Sequence, residues 1–210
     1  MITEIIGATP HPSLIRTHWT SRAFSTSKVD IGRLLRLLEA ARWTSSYRNE
    51  QPWSFVIASK EDPVAHERLL SCLAESSIAK ARRAPILVLS VVKLNFEGDA
   101  RRNPYAFHDA GKAVSNLTSK AAAMGMLVHQ ISGFDPVRAR ELFDIPSGYT
   151  PVTVIAIGYP ELDGPSDNPN TVGTSHTRRP LQSLAFAGRW GEASPLLRGA
   201  EPDPCGERKI

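Results

Sequence analysis

Residues 86–92 read Ile-Leu-Val-Leu-Ser-Val-Val, a nearly continuous apolar run that begins directly after Pro85. A strand with one face in water alternates apolar and polar residues, whereas an unbroken apolar run is typical of a strand covered on both faces. We therefore predict a central strand here, in a sheet that carries helices on both sides. A second run of this kind spans residues 152–157 and ends at Gly158, which predicts another buried strand.

Shorter apolar runs and helical periodicity predict the remaining elements around these two strands. Two further strands are expected at residues 54–58 and 127–131. The predicted helices begin after Asp30, at about residue 63, at Phe107 and after Asp135; the last three end near residues 76, 124 and 143. Helices and strands alternate only loosely, so the pattern favours an α/β or α+β fold with a mixed sheet.

The apolar residues of each predicted helix share one face. In the first helix they are Ile31, Leu34, Leu35, Leu38 and Ala41, with Asp30 as the N-cap; in the second they are Val64, Leu69, Leu70 and Leu73. In the third they are Ala110, Ala113, Val114, Leu117, Ala121 and Met124. The small residues of the third helix allow another backbone to approach closely.

Composition excludes several classes of protein. The 210 residues suffice for one domain with a hydrophobic core, and 41% of them are hydrophobic. The two cysteines, Cys72 and Cys205, form neither a disulfide framework nor a zinc site, and no apolar run or leader segment suggests a membrane span or export, so a cytoplasmic location is expected. Net charge is +4, but the basic residues are scattered, which disfavours nucleic-acid binding.

Motifs that place catalytic side chains at fixed spacing are absent. The sequence has no G-x-G-x-x-G, no complete P-loop and no G-x-S-x-G elbow, and the six histidines show no metal-ligand spacing. We therefore expect no catalytic side chain and no metal site. If the chain is an enzyme, a bound cofactor is expected to carry the chemistry.

Seven segments, in order from residue 18 to residue 181, together resemble the nitroreductase-like flavoproteins. They are His-Trp-Thr-Ser-Arg-Ala-Phe at 18–24, Ser-Tyr-Arg-Asn-Glu-Gln-Pro-Trp at 46–53, Ala-Pro at 84–85, the helix ending in Met-Gly-Met at 124–126, Ile-Ser-Gly-Phe-Asp at 131–135, Ile-Ala-Ile-Gly-Tyr-Pro at 155–160, and Arg-Arg-Pro-Leu at 178–181. Each segment alone is weakly specific, and their order carries the resemblance.

The resemblance implies a nitroreductase-like α+β fold, with a mixed central sheet flanked by helices, in an intertwined homodimer that holds two FMN molecules at its interface. It implies a single domain over residues 1–191, followed by an arm or disordered tail over 192–210. The implied activity is NADH- or NADPH-driven, ping-pong reduction of nitroaromatic, quinone or related small-molecule acceptors, with no side chain acting as a nucleophile.

The resemblance also assigns candidate residues to the site. The cofactor-binding candidates are His18, Trp19, Thr20, Arg22, Ser46, Asn49, Gln51, Ser132, Gly133, Arg178 and Arg179. The arginines suit a phosphate, the amide and hydroxyl groups suit the flavin ring, and Gly133 allows backbone N–H groups to approach it. Gln51 suits packing as well. The substrate-binding candidates are Tyr47, Arg48, Tyr105 and Phe107.

Several positions depart from the family pattern, and they leave alternatives open. His18 and Thr20 replace an arginine and a serine, and Ser77 stands where many relatives have an asparagine. Thr44 and Ser45 replace an Ala-Pro pair, and Tyr47 and Arg48 replace smaller or apolar residues near the substrate face. A histidine is only partly charged near neutral pH, so FMN could bind more weakly. The alternatives are a flavin-dependent dehydrogenase or oxidase of a biosynthetic intermediate, and a degenerate member that binds flavin or ligand without turnover.

Overall fold

The computed structural model describes residues 23–99, 101–161 and 179–197. The chain divides into two compact units, Met1–Gly164 and Pro165–Ile210. In the second unit, the described residues form two short 3₁₀ turns, Leu181–Ser183 and Pro195–Leu197, and a ring contact between Phe186 and Trp190 with centroids 5.0 Å apart. The predicted division at residue 191 stays a prediction.

Four strands form the sheet of the first unit. They are β1 (Trp53–Ser59), β2 (Ile86–Lys93), β3 (Leu127–Ile131) and β4 (Tyr149–Gly158), in the order β1-β2-β4-β3. Every pairing between them is antiparallel. The α+β class is confirmed. The expected mixed sheet is wrong for these strands, because neighbouring strands always run in opposite directions. The apolar content of a strand does not encode the direction of its neighbour.

Strand β2 is the centre of this sheet, as the sequence predicted. Residues 86–92 are all buried, and β2 pairs with β1 on one side and β4 on the other. One face of the sheet packs Leu87 and Leu89 into a core with Leu69 and Leu70. The other face packs Val88 and Ile86 into a second core. Two helical layers therefore cover one sheet.

Five α-helices complete the described part of the first unit. They are α1 (Ile31–Arg42), α2 (Pro63–Leu70), α3 (Glu75–Arg83), α4 (Ala106–Ala123) and α5 (Pro136–Leu142). Helices α1 and α4 pack on the Val88 face, whereas α2, α3 and α5 pack on the Leu87 face. None of the helices in the described segments is long and apolar enough to cross a membrane.

Helix α1 begins where the sequence predicted, and it buries Leu34 and Ala41 of the predicted face together with Leu37, which was not predicted. The Asp30 carboxylate accepts hydrogen bonds from the Gly32 and Arg33 N–H groups, which confirms it as the N-cap. The residues buried against α4 and the sheet are Leu34, Leu37 and Ala41. Ile31 and Leu35 are exposed, at 66% and 58%, so their expected burial is wrong.

The predicted helix over residues 63–76 is two helices in the structure. α2 ends at Leu70, because Leu73 then forms a bridge with Phe134 and the Ala74 N–H donates to the Gly133 carbonyl at 2.8 Å. These tertiary hydrogen bonds replace the helical ones. Val64 is 68% exposed, so its expected inward position is wrong, whereas Leu69, Leu70 and Leu73 are buried as predicted.

The long helix and the following elements confirm the sequence pattern closely. α4 buries Ala110, Ala113, Val114, Leu117 and Ala121, and it ends before Gly125, whose φ is +68°. Met124 is only partly buried. The Asp135 carboxylate caps α5, which has a proline at its first turn.

Antiparallel order brings specific loops to one edge of the sheet. β1 and β4 run in one direction, and β2 and β3 run in the other. The start of β1, the end of β2 and the start of β4 therefore share an edge, which we call the near edge, and β3 points toward it. Phe24 forms a bridge with Pro160 just beyond the end of β4, so it lies at the opposite, far edge.

The far edge contains a close approach that only glycine permits. A Cβ on Gly158 would lie 2.7 Å from Pro85 Cδ and 2.9 Å from Phe24 Cδ1. Both neighbours are buried, and a proline ring cannot rotate away.

We expect Gly158→Ala to lower the free energy of unfolding by about 1–3 kcal/mol, because the new methyl group overpacks this contact. Urea denaturation measures the change. Gly111→Ala is the matched control: Gly111 lies in α4 with nothing within 4 Å of its Cβ position. That substitution should raise stability by roughly 0.5–1 kcal/mol through helix propensity. Equal effects of the two substitutions would contradict the packing argument.

Candidate functional site

The loop that enters β1 is held in an unusual conformation. Arg48, Asn49 and Gln51 have φ values of 52°, 59° and 45°, in the left-handed region that side chains other than glycine avoid. Each such residue costs on the order of 1 kcal/mol, so the surrounding structure must maintain the conformation. Residues 46–51 are here called the strained loop.

Hydrogen bonds inside the strained loop close it. The Gln51 N–H donates to Ser46 Oγ at 2.9 Å, and the Asn49 N–H donates to the Ser46 carbonyl at 3.1 Å. The Gln51 side-chain amide donates to the Asn49 carbonyl at 3.2 Å. Gln51 thus serves the loop itself, while the Asn49 side chain is exposed and takes part in none of these three hydrogen bonds.

Helix α4 holds the strained loop at Tyr47 and the chain just before the loop at Thr44. The Tyr47 N–H donates to Asp109 Oδ2 at 2.8 Å, and the Asn116 amide donates to Thr44 Oγ1 at 2.7 Å. Asp109 and Asn116 lie seven residues apart, so two helical turns place both on one face. Asp109 is 2% exposed, and it also accepts from Lys112 Nζ and contacts His108 Nδ1, each at 3.1 Å.

These contacts keep Asp109 ionised. Burial by itself raises the pKa of its carboxyl, but the Tyr47 N–H, Lys112 and His108 together hold that pKa below the ordinary value of 3.8. A buried carboxylate with three donors is stable only while they remain in place. The conformation of the strained loop therefore depends on the ionised state of the Asp109 carboxyl.

An aromatic cluster lies beside the strained loop at the near edge. The ring centroids of Tyr47 and Tyr105 are 4.6 Å apart, and those of Tyr47 and Phe96 are 6.1 Å apart. The Arg48 guanidinium carbon lies 5.3 Å from the centroid of Tyr47 and 5.6 Å from that of Phe96. Tyr47 and Tyr105 are 41% and 45% exposed, so part of each ring faces solvent.

A second group of candidate residues lies beyond the end of β3. The Gly133 carbonyl accepts from the Ala74 N–H, and a Cβ on Gly133 would lie 3.5 Å from Ala74 Cβ. Ser77 belongs to the first turn of α3, which starts there. Within the described segments the Gly133 N–H makes no hydrogen bond, and the glycine is exposed. This surface offers a free backbone donor.

The structure brings together some of the predicted site residues and keeps others apart. Ser46, Tyr47, Arg48, Asn49, Gln51 and Tyr105 form one neighbourhood. Ser132 and Gly133 follow β3. The strands β3 and β1 are the two outermost strands of the sheet, and the three strand spacings between them amount to roughly 14 Å. Phe107 is 48% exposed and makes no ring contact with the cluster.

The remaining predicted positions give no further geometry. His18, Trp19, Thr20, Arg22 and Arg178 lie outside the described residues. Arg179 is exposed and belongs to the second unit. Over the described ranges, no group of three or more histidine, cysteine, aspartate or glutamate side chains could hold a metal ion.

Sequence reasoning missed Asp109 and Phe96. Asp109 was visible as an acid in the first turn of an otherwise apolar helical stripe, three residues before Lys112. A buried position for an acid implies a partner, and that signal could have identified it. No comparable signal marks Phe96, because its ring meets Tyr47 only through the tertiary fold.

We expect Asp109→Asn to loosen the strained loop. The substitution removes the charge that Lys112 and His108 face, and hydrogen bonds to a charged group contribute about 1.5–3 kcal/mol. The pKa of Asp109 is lower in the folded state, so its stabilising contribution is complete well above pH 4 and is lost as the pH falls through the folded-state value. Urea denaturation of both proteins between pH 7 and pH 3 should show a stability difference that shrinks on acidification.

Hydrogen exchange of the Tyr47 N–H locates the effect. It should be faster in Asp109→Asn and unchanged in the control Asp135→Asn, since the Asp135 carboxylate accepts from the Val137 and Arg138 N–H groups at the start of α5, on the other face of the sheet. A pH-independent stability difference, or unaltered Tyr47 exchange, would show that Asp109 does not anchor the loop.

Comparison with known proteins adds to this geometry. The model of the nitroreductase family matches residues 15–159. The uncharacterised 15.4 kDa protein in the ask 5′ region of Mycolicibacterium smegmatis is 36% identical over 119 residues, which are 55% of this chain and 77% of the relative. A protein of Xanthomonas oryzae pv. oryzae, provisionally named NADH dehydrogenase/NAD(P)H nitroreductase, is 25% identical over 78% of this chain and 91% of its own.

Solved structures share the architecture. One described as the oxidoreductase containing FMN has a TM-score of 0.78 and 30% identity, covering 89% of this chain and 96% of its own. A nitroreductase family protein from Clostridium difficile 630 has a TM-score of 0.65 and 19% identity, covering 84% of this chain and 97% of its own. The second likeness concerns the fold alone.

Proposed function

The chain belongs to the nitroreductase family, and from this we propose that it is an FMN-dependent oxidoreductase that uses NADH or NADPH to reduce small oxidised acceptors. Nitroaromatics and quinones are the acceptor classes we propose. The observation that carries the proposal is the strained loop. Its unfavourable backbone conformation holds Ser46 and Asn49 beside a partly exposed aromatic cluster. Strain of this kind concentrates at binding sites.

The described donor groups fit the ring end of FMN. The isoalloxazine has a polar pyrimidine edge and a flat apolar body, so it requires donors, acceptors and ring contacts. The exposed Asn49 amide both donates and accepts, and the Gly133 N–H is a donor without a partner in the described segments. Arg22 is our proposed partner for the phosphate, because guanidinium groups bind phosphate in fork geometry.

FMN, when bound, would supply two-electron redox chemistry between NADH or NADPH and an acceptor. The residues of the chain bind and orient the reactants. The Asn49 amide would hold polar groups of the ring, and a donor at that position stabilises negative charge that develops there. Tyr47 and Tyr105 offer ring surface that excludes water and positions an aromatic reactant.

We further propose a homodimer that completes each site with residues of both copies. Phe24 directly follows the segment at 18–23 and lies at the far edge, whereas the strained loop lies at the near edge. β4 separates these edges by roughly 27 Å from Thr150 to Gly158, at about 3.4 Å per residue. A second copy in opposite orientation would place its far edge beside the strained loop of the first.

Helix α1 supplies a surface suited to this second copy. Leu35 and Trp43 are 58% and 74% exposed, and they line a groove of about 540 Å³ between α1 and Lys120 of α4. Exposed apolar groups in such a groove are typical of a protein interface.

The function is tested with purified protein supplemented with FMN. Bound chromophore is identified by mass, and oxidation of NADH and NADPH is followed with a quinone and with a nitroaromatic acceptor. We expect tight FMN binding and initial rates that give parallel double-reciprocal lines, since donor and acceptor occupy the site in turn. Failure to bind FMN would overturn the proposal, and FMN binding without consumption of either nicotinamide would favour the dehydrogenase alternative.

The same assay examines the strained loop through Asn49→Gly. Glycine adopts the left-handed conformation without cost, so the substitution removes the amide alone. FMN affinity should fall about tenfold, the factor that corresponds to the loss of one hydrogen bond to the polar edge of the ring. The matched control is Asp144→Gly, at another left-handed residue with a φ of 49° after α5, which should leave FMN affinity unchanged.

For the dimer, sedimentation equilibrium should give twice the chain mass of 23.0 kDa. Leu35→Glu should increase the dissociation constant at least tenfold, because it buries a charge in an apolar contact. Val64→Glu is the control, since Val64 is similarly exposed at 68% but lies on α2, on the other face of the sheet. A monomeric protein, or equal effects of the two variants, would exclude this interface.

A further inference from the structure

Resting on the proposed function, we infer that Tyr47, Tyr105 and Arg48 form a binding site for a planar aromatic ligand that carries an anionic group. The rings of Tyr47 and Tyr105 supply the surface for the ligand's ring, and the Arg48 guanidinium supplies the partner for its anion. The ligand is a reactant of the enzyme, so the site sets which acceptors or donors it prefers.

The two tyrosines leave ring surface available. Their centroids are 4.6 Å apart with an interplanar angle of 33°, and both side chains are more than two-fifths exposed. Aromatic groups of this size contribute large contact area to ligand binding. A planar reactant therefore has a surface to pack on beside the strained loop.

Arg48 is available to an anion because the acids around it are occupied. Within the described residues, Arg48 forms no ion pair; its guanidinium lies over Tyr47 and Phe96 instead. The nearby carboxylate of Asp99 is bound by the Arg101 N–H and side chain. Glu97 pairs with Lys93, Glu50 accepts from the Glu97 N–H, and Asp109 is engaged by α4.

The backbone at Arg48 indicates that its position matters. With φ at 52°, Arg48 sits in a conformation that glycine or asparagine adopts more readily. A guanidinium held on a strained turn by ring contacts is pre-organised, so it loses little freedom when it pairs with an anion. A carboxylate, sulfonate or phosphate would form charge-assisted hydrogen bonds with its planar fork.

Two reactants could bring this chemistry. One is an acceptor such as a nitrobenzoate, in which the anion is attached to the ring. The other is the nicotinamide donor, in which the anion is a phosphate, and NADPH carries one phosphate more than NADH.

Equilibrium titration with benzoate and benzamide tests the inference without turnover. The two ligands have the same ring and differ in charge, and the protein is used as purified with FMN added. We expect benzoate to bind about tenfold more tightly, the factor that corresponds to one partly solvated charge-assisted hydrogen bond. The preference should weaken as salt is raised, because exposed charges are screened.

Variants then assign the preference to Arg48. Arg48→Met should abolish it, and Arg48→Lys should retain part of it, since lysine keeps the charge but loses the fork. Arg102→Met removes one positive charge from the neighbouring loop without releasing Asp99, because Arg102 is exposed and forms no ion pair with a described acid, and it should leave the preference intact. Equal binding of both ligands to the wild-type protein, or equal loss in Arg48→Met and Arg102→Met, would overturn the inference.

Steady-state kinetics distinguishes the two sources of the anion. If the acceptor provides it, Arg48→Met raises the KM for 4-nitrobenzoate about tenfold and leaves that for 4-nitrobenzamide unchanged. If the donor provides it, the same variant raises the KM for NADPH relative to NADH. A variant that affects kcat for every pair equally contradicts a role for Arg48 in recognition. Failure of FMN to bind would overturn the proposed function, while the benzoate titration still tests Arg48.

Discussion

The burial of β2 on both faces is the constraint on which the rest of the structure depends. Its seven buried residues require apolar cover on each side, and two helical layers supply it. α1 and α4 form one layer, and α2, α3 and α5 form the other. Burying this sheet stabilises the fold by the removal of apolar surface from water, the dominant favourable contribution to folding.

The position of the candidate site follows from this arrangement. Because α4 must lie along the sheet with its small apolar stripe inward, its first turns arrive at the edge where β1 begins. Asp109 is thereby buried next to the loop that enters β1, and it holds the Tyr47 N–H. The strained loop is therefore stabilised by its contact with α4 rather than by its own sequence. Because α4 is part of the packed core, this contact restricts the motion of Arg48 and Asn49.

Around the strained loop, the carboxylates have basic partners, whereas the Arg48 guanidinium is not paired with a described acid. Asp109, Asp99 and Glu97 each have basic partners, whereas Arg48 rests on aromatic rings. Such a region attracts anions, because the Arg48 guanidinium forms no ion pair with a described acid. The departures from the family pattern at Tyr47 and Arg48 thus lie beside Ser46 and Asn49, which match that pattern.

The amino-acid sequence by itself determined the elements, their caps and the family. Unbroken apolar runs specify buried strands, Asp30 and Asp135 specify helix starts, and ordered motifs specify the relationship, because all of these are local in the chain. Only the tertiary structure decided that the described strands are antiparallel, that residues 63–76 break into two helices, and that Leu37 rather than Leu35 is buried. It also decided that Asp109 and Phe96 meet Tyr47, since these contacts join residues 62 and 49 positions apart. Pairings over such separations depend on which faces the packed layers bring together, and no local pattern encodes that choice.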